Sequence, residues 1–301
     1  MRVLVSGASG LIGSTLLKAL ARDGHQAIPL VRQRLSGYST TIFWDPAAGR
    51  IAAEPLNGLD AVVHLAGAPI AARWTSGQKT RILESRVHGT RLLAQTLAAL
   101  SQPPRVLVCA SAVGCYGNRG DARLTEQSAP GQGFLAEVCQ AWEAATQPAA
   151  ASGIRVVLAR LGLVLDRSGG ALAKMLPPFR LGFGGPLGSG LQYWSWIAME
   201  DVVGAIAHAL ATERLAGPIN VVAPGAVTNR EFTRALGRVL RRPTLLPVPP
   251  LALRLLLGEM ADALLLSSTR VEPRRLLETG YRFQYADLDA ALQHLFGGSV
   301  P

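Results

Sequence analysis

Gly7-Ala8-Ser9-Gly10-Leu11-Ile12-Gly13 sets three glycines three residues apart, between a β-branched run and an amphipathic one. In a strand–loop–helix turn that spacing has a specific use. Gly7 allows the tight turn, Gly10 lets the backbone come close to a pyrophosphate, and Gly13 lets the helix pack against the strand. Ser9, Leu11 and Ile12 complete a loop whose free N–H groups and helix dipole hold the anion. A dinucleotide is the ligand that fits. About 20 residues further on, NAD-selective proteins place a carboxylate on the ribose hydroxyl. Here the corresponding stretch reads Leu30-Val31-Arg32-Gln33-Arg34, without a carboxylate. Arg32 can clamp a 2′-phosphate through its planar guanidinium, which makes NADP(H) the expected cofactor. The alternative is an ordinary surface arginine.

The elements that must position these groups can be read from periodicity. Strands are expected at Arg2–Ser6, Gln26–Val31, 41–44, 61–65, 105–110, 154–160 and 218–222. Helices are expected at Leu11–Arg22, 78–100, 134–151, 202–211 and 231–240, and the tail over 251–296 reads as wholly helical. Ser101-Gln102-Pro103-Pro104 closes the long second helix, because proline cannot continue it. After Leu165 the texture changes, with Pro177-Pro178, the glycine-rich loop 182–190 and the prolines of 247–250 as punctuation. Strands alternating with helices predict an α/β fold: a Rossmann-type, doubly wound parallel sheet with a smaller, mainly helical C-terminal lobe. The expected boundaries are 1–165 with 200–223 for the nucleotide-binding domain, and 166–199 with 224–301 for a lobe over the substrate.

Composition narrows the classes. The 301 residues are 49% apolar and 17% charged, which suits a globular protein with a sizeable core and excludes a disordered or collagen-like chain. The formal charge is +10, and only Lys18, Lys79 and Lys174 are lysines, so arginine supplies the excess. The arginines are scattered, and the densest group, Arg230 to Arg242, recurs at helical spacing, so a solvated helix face is expected rather than a nucleic-acid site. Cys109, Cys115 and Cys139 form no C-x-x-C pair and read as reduced thiols. No secretory signal opens the chain and no apolar run reaches ~18 residues, so a cytoplasmic location with no membrane partner is expected.

On these motifs taken together, the chain resembles an atypical member of the extended short-chain dehydrogenase/reductase superfamily, and more closely the epimerase family protein group. The resemblance spans essentially the whole length. It rests on the glycine loop, His64-Leu65-Ala66-Gly67, Arg73-Trp74-Thr75, Ser85-Arg86, Ser111-Ala112-Val113-Gly114-Cys115-Tyr116-Gly117, the 181–190 loop, Trp196-Ile197, Pro273-Arg274-Arg275 and Thr279-Gly280-Tyr281. It implies that Leu65, Ala66 and Gly67 lie along the adenosine and ribose at a strand end. It also implies that Arg86 reaches back to the cofactor phosphates, unless it is a helix-surface charge paired with Glu84 or a neighbour. Arg160 would sit near the nicotinamide end or anchor the sheet.

The resemblance fails at the proton-transfer step. Ordinary members carry Tyr-x-x-x-Lys on a helix, in which the lysine lowers the tyrosine's pKa. Tyr38, Tyr116, Tyr193, Tyr281 and Tyr285 are followed four residues on by Ile42, Gly120, Ile197, Tyr285 and Asp289. The stretch where the pair belongs reads Phe134-Leu135-Ala136-Glu137-Val138-Cys139. Ser111 keeps the family's serine position, and Tyr116 is the other polar group expected near the crevice, so these two are the candidate catalytic residues. Glu126, in a loop, could orient a ligand hydroxyl or cap a turn. No metal-ligand cluster is evident. Two functions remain: an NADP-dependent oxidoreductase or epimerase on a small polar substrate, such as a nucleotide sugar, and a non-catalytic or sensory NADP(H)-binding protein. The substrate and oligomeric state are not legible.

Overall fold

The computed structural model describes residues 1–33, 37, 38 and 40–297. The chain opens with β1 (Arg2–Ser6), α1 (Leu11–Arg22) and β2 (Gln26–Val31), followed by β3 (Ile42–Asp45), β4 (Arg50–Ile51) and β5 (Ala61–His64). The long α2 (Ser76–Ala98) leads to β6 (Val106–Ala112), the short β7 (Arg123–Leu124), α3 (Phe134–Ala144), α4 (Gln147–Ala151) and β8 (Arg155–Leu161). Beyond these come β9 (Leu163–Leu165), α5 (Gly170–Arg180), β10 (Tyr193–Trp194), β11 (Trp196–Ala198), α6 (Met199–Ala211), β12 (Gly217–Val221), β13 (Val227–Thr228) and α7 (Asn229–Leu240). The C-terminal part holds α8 (Pro250–Leu257), β14 (Arg270–Val271), α9 (Arg274–Glu278) and α10 (Leu288–Phe296).

Eight strands form the main sheet in the order β12-β8-β6-β5-β1-β2-β3-β4, parallel throughout except for the β3–β4 pair. Strand order reverses between β1 and β5, and in an open α/β sheet that reversal makes the crevice where ligands bind. Alternation within each strand feeds a separate core on each face. Val3 and Val5 join Leu16, Leu20, Val202 and Ile206 under α1 and α6, while Leu4 joins Leu93, Leu97 and Ala149 under α2 and α4. A third core outside the sheet packs Leu172, Leu176 and Phe179 of α5 against Phe232 and Leu236 of α7 and Leu292 of α10. The doubly wound α/β class expected from the sequence is the observed one.

Four local readings need correction. The stretch 134–151 is two helices, because Pro148 has no N–H to bond and α4 restarts with it in the first turn. Pro177 and Pro178 do not end anything: α5 runs through them, held by the buried stripe Leu172, Leu176 and Phe179. The strands β9 and β11 pair with each other just past the main sheet and gave too short a pattern to read. The tail is not wholly helical. Its segment from β14 to Phe283 returns to the first domain, where β14 pairs with β7 and Leu276, Tyr281 and Phe283 pack against the α6 side of the sheet.

Asp201, fully buried in the first turn of α6, fastens this returning segment. Its carboxylate accepts from Tyr281 Oη (3.0 Å), Gln284 N (2.8 Å) and Tyr285 N (2.9 Å). Asp201→Ala orphans these donors together, so a loss of about 2–4 kcal/mol is expected. Denaturant unfolding should show it, alongside faster proteolysis near residue 284; unchanged stability would remove Asp201 as the fastener.

Candidate functional site

Where β1 ends, Gly7 takes φ +67°, and a Cβ there would stand 2.8 Å from the backbone carbonyl of Leu65. A Cβ at Gly13 would run into the carbonyl oxygen of Gly7 itself. The loop is therefore as tight as backbone atoms permit, and only glycine fits either place. Gly10 is the N-cap of α1 and supplies no side-chain cap, and the first turn carries no acid. The opening N–H groups and the positive end of the helix dipole thus stay available to an anion. Ser9 and Gly10 are exposed, and Leu11 and Ile12 are half-buried beside them.

The opposite lip of the crevice is the end of β5. Ser6 Oγ and His64 Nδ1 lie 2.6 Å apart in a buried hydrogen bond, and Leu65 N–H donates to the same Ser6 oxygen at 3.1 Å. That knot fixes where Leu65, Ala66 and Gly67 leave the sheet. Burial lowers the His64 pKa to about 4, so the ring is neutral at pH 7. Arg32 stands just past β2, exposed and without a carboxylate partner among the described residues. Arg34 lies outside those residues. Arg86 is not a surface charge paired with Glu84. Its Nη1 donates to the carbonyls of Ala68 and Ile82 (3.1 Å each), and its guanidinium lies 5.0 Å over the Trp142 ring. It presses on Gly67, where an added Cβ would meet it at 3.2 Å, so a half-buried cation without a carboxylate partner among the described residues borders the crevice.

The floor of the site is a buried polar network. Ser111, at the end of β6, donates to Glu143 Oε1 at 2.6 Å. Arg160 of β8 holds the same carboxylate with Nε on Oε1 and Nη2 on Oε2, both at 2.9 Å, and donates from Nη1 to Tyr116 Oη at 3.0 Å. Tyr116 Oη in turn donates to Asn220 Oδ1 at 2.7 Å. Asn220 N–H continues to Glu126 Oε1 at 2.9 Å, which also accepts from Arg275 N at 3.3 Å. Glu126 therefore holds backbone of β12 and α9 rather than capping its own turn. Arg160 thus ties Glu143 of α3 and Tyr116 to β8.

Tyr116 cannot offer a proton to the crevice in this arrangement. The residue is fully buried, its hydroxyl is committed on both sides, and burial pushes its pKa up to about 12 despite the neighbouring Arg160. Ser111 is nearly as buried, but it sits on the strand end facing α3. Leu135, Cys139 and Glu143 repeat every four residues along α3, which puts them on one helix face. Cys139 Sγ lies 3.7 Å from Ala112 O, and burial raises its thiol to about pKa 11, with Glu143 adding to the shift. Glu143 went unread in the sequence. Its signal was the i, i+4, i+8 spacing together with a buried strand arginine that needed a partner.

Residues 3–223 match the family described as the NAD dependent epimerase/dehydratase family, and residues 248–295 match a domain of unknown function (DUF1731). Epimerase family protein Mb2239 of Mycobacterium bovis is 44% identical over 291 residues, 96% of each chain. The crystal structure of human epimerase family protein SDR39U1 (isoform 2) with NADPH is similar at 37% identity and a TM-score of 0.90, over 99% of this chain and 100% of that one. A nucleoside-diphosphate sugar epimerase from Corynebacterium glutamicum matches at 36% identity and a TM-score of 0.79, over 98% of this chain and 58% of its own.

The buried His64 carries a pH signature. Its ordinary pKa of 6.5 falls to about 4 on folding, so between those values the unfolded chain binds the extra proton. Stability is full above about pH 6.5 and drops as pH falls toward 4, by about 3 kcal/mol from this ring. His64→Asn should lower the plateau and flatten that slope in denaturant titrations across the window; an equal slope in both proteins would exclude the histidine as its source.

Proposed function

Because the chain belongs to the NAD-dependent epimerase/dehydratase family, we propose that it binds NADP(H) along the crevice between β1 and β5 and acts as an oxidoreductase or epimerase on a small polar substrate, a nucleotide sugar being one of that class. The observation that carries the reading is the cradle at Gly7, Gly10 and Gly13, where backbone fills the space that side chains would take and a helix start is left open. The NADPH in the similar human structure supports the same cofactor. The loop from Gly7 to Gly13 would hold the pyrophosphate, Leu65 to Gly67 would line the adenosine and ribose, and Arg32 would clamp a 2′-phosphate. Arg86 adds positive charge on the cofactor's side of the crevice.

When bound, the nicotinamide supplies or accepts a hydride. Proton handling falls to the chain, and here the geometry is restrictive. Ser111 spends its proton on Glu143, so it meets a substrate hydroxyl as an acceptor. Glu143 is the next group in reach of that proton, yet both of its oxygens already accept hydrogen bonds from Arg160. With Leu135 and Cys139 on the α3 face where the superfamily carries its acid, turnover would be slow. That same observation favours a second reading, a protein that binds NADP(H) and reports its state without turnover.

Cofactor choice and turnover test the two readings in turn. Calorimetric titration should show NADPH bound at least about tenfold more tightly than NADH, a difference of ~1.4 kcal/mol. Arg32→Ala should erase that preference, and equal affinities in the parent would retire Arg32.

NADPH oxidation across carbonyl compounds and nucleotide sugars then separates enzyme from sensor. For an enzyme, Ser111→Ala should lower turnover by roughly 10²-fold with NADPH affinity intact. Tyr116→Phe should instead lose about 1–3 kcal/mol of stability and keep its turnover per folded molecule. If no substrate is turned over while NADPH still binds, the sensor reading stands.

A further inference from the structure

The C-terminal lobe exposes apolar side chains in a way that folding leaves unexplained. Among the described residues, eight of the eleven exposed large hydrophobics lie in 181–191 and 245–256. The two segments touch: Gly188 N–H donates to Val248 O at 2.9 Å and Val248 N–H to Pro186 O at 2.8 Å. Phe183 is 69% exposed, and Leu245 and Leu246 are 85% and 68% exposed. On α8, Leu251 and Leu255 stand four apart and so share one face, with Leu256 beside them, all at least 66% exposed.

Charge decides what covers such a surface. Neither 180–191 nor 232–258 contains a single Asp or Glu, whereas the two stretches hold Arg180, Arg234, Arg238, Arg241, Arg242 and Arg254. Arg238 and Arg254 pair with Asp289 and Asp262. Arg180, Arg241 and Arg242 are exposed and have no carboxylate partner among the described residues. A second copy presenting the same face would bring like charges together. Nucleic acid would use the arginines but leave the leucines in water. A surface of phosphate groups over an apolar interior satisfies both sets at once.

We propose that this face docks on an anionic lipid bilayer, with Leu245, Leu246 and the exposed leucines of α8 entering the headgroup boundary and Arg241 and Arg242 meeting lipid phosphates. No helix among the described residues is long and apolar enough to cross a membrane. The contact is therefore peripheral, and it revises the expectation of no membrane partner, which considered spanning segments alone.

Co-sedimentation of the whole protein with phosphatidylcholine vesicles, with and without phosphatidylglycerol, tests this. Binding is expected only to the anionic vesicles and should weaken as salt rises. Leu255→Ser with Leu256→Ser, and separately Arg241→Gln with Arg242→Gln, should each reduce it by roughly tenfold or more. All four side chains are exposed, so circular dichroism and melting temperature should match the parent. The proposal is overturned by absence of binding to anionic vesicles, or by binding that ignores both pairs of substitutions. It is equally overturned by a stable dimer that the leucine pair dissolves, or by binding to a random oligonucleotide that the vesicles do not match.

Discussion

The ion pair between Glu143 and Arg160 is the constraint on which the floor of the site depends. The two side chains are 14% and 8% exposed, and each has given up water to make two parallel bonds of 2.9 Å. Desolvating both charges costs more than a surface pair returns, so the arrangement holds only because the geometry is bidentate and the remaining valences are filled. Ser111 fills one on the carboxylate, and Tyr116 fills one on the guanidinium. Removing either charge would strand the other in the interior at a cost of about 3–5 kcal/mol. The pair thereby locks α3 to β8, and the end of β6 to both, and the position of Ser111 follows from it.

That stability has a chemical consequence. Burial by itself would lower the Arg160 pKa, but the bonded Glu143 carries it well above its ordinary value. Both oxygens of that carboxylate are already taken, Oε1 by Ser111 and Arg160 and Oε2 by Arg160. Cys139, one turn earlier on the same face, is no substitute, since burial keeps it a thiol at neutral pH. The crevice is thus well built to bind and orient, with glycine backbone on one lip, a hydrogen-bonded strand end on the other and arginines outside. It is poorly supplied with groups that exchange protons.

The first three elements were legible to the residue, because glycine and clean periodicity mark them out. The tight glycine turn after β1 was legible for the same reason: close backbone contact leaves glycines at fixed spacing. The buried polar network at the end of the sheet was not. Tyr116 meets Asn220 across 104 residues, and Asn220 meets Glu126 across 94, so no window along the chain displays them together. Only the topology, by placing β12 beside β8 and β8 beside β6, brings them to one end of the sheet. Tyr116 was read as a polar group near the crevice; its hydroxyl is instead bonded to Asn220 and Arg160, and a tyrosine after a strand carries no mark of which side its hydroxyl serves. α5 was missed because its two prolines outweighed a stripe of three buried residues.

The segment from α8 to Leu266 shows why the lobe matters to the crevice. Its inner side packs Met260, Leu257 and Leu264 against Trp74, Ile82, Val138 and Leu135, at the start of α2 and on α3. Lys79 of α2 pairs with Glu259 and lies 5.0 Å over the Phe134 ring, which ties the segment down at its edge. Its outer side is the run of exposed leucines. One layer of backbone therefore separates Leu135 of α3 from the apolar and basic face outside. Side chains packed this closely do not shift singly. Any displacement of α8 must be taken up by Leu257 and Met260, and through them by the helix that carries Leu135, Cys139 and Glu143.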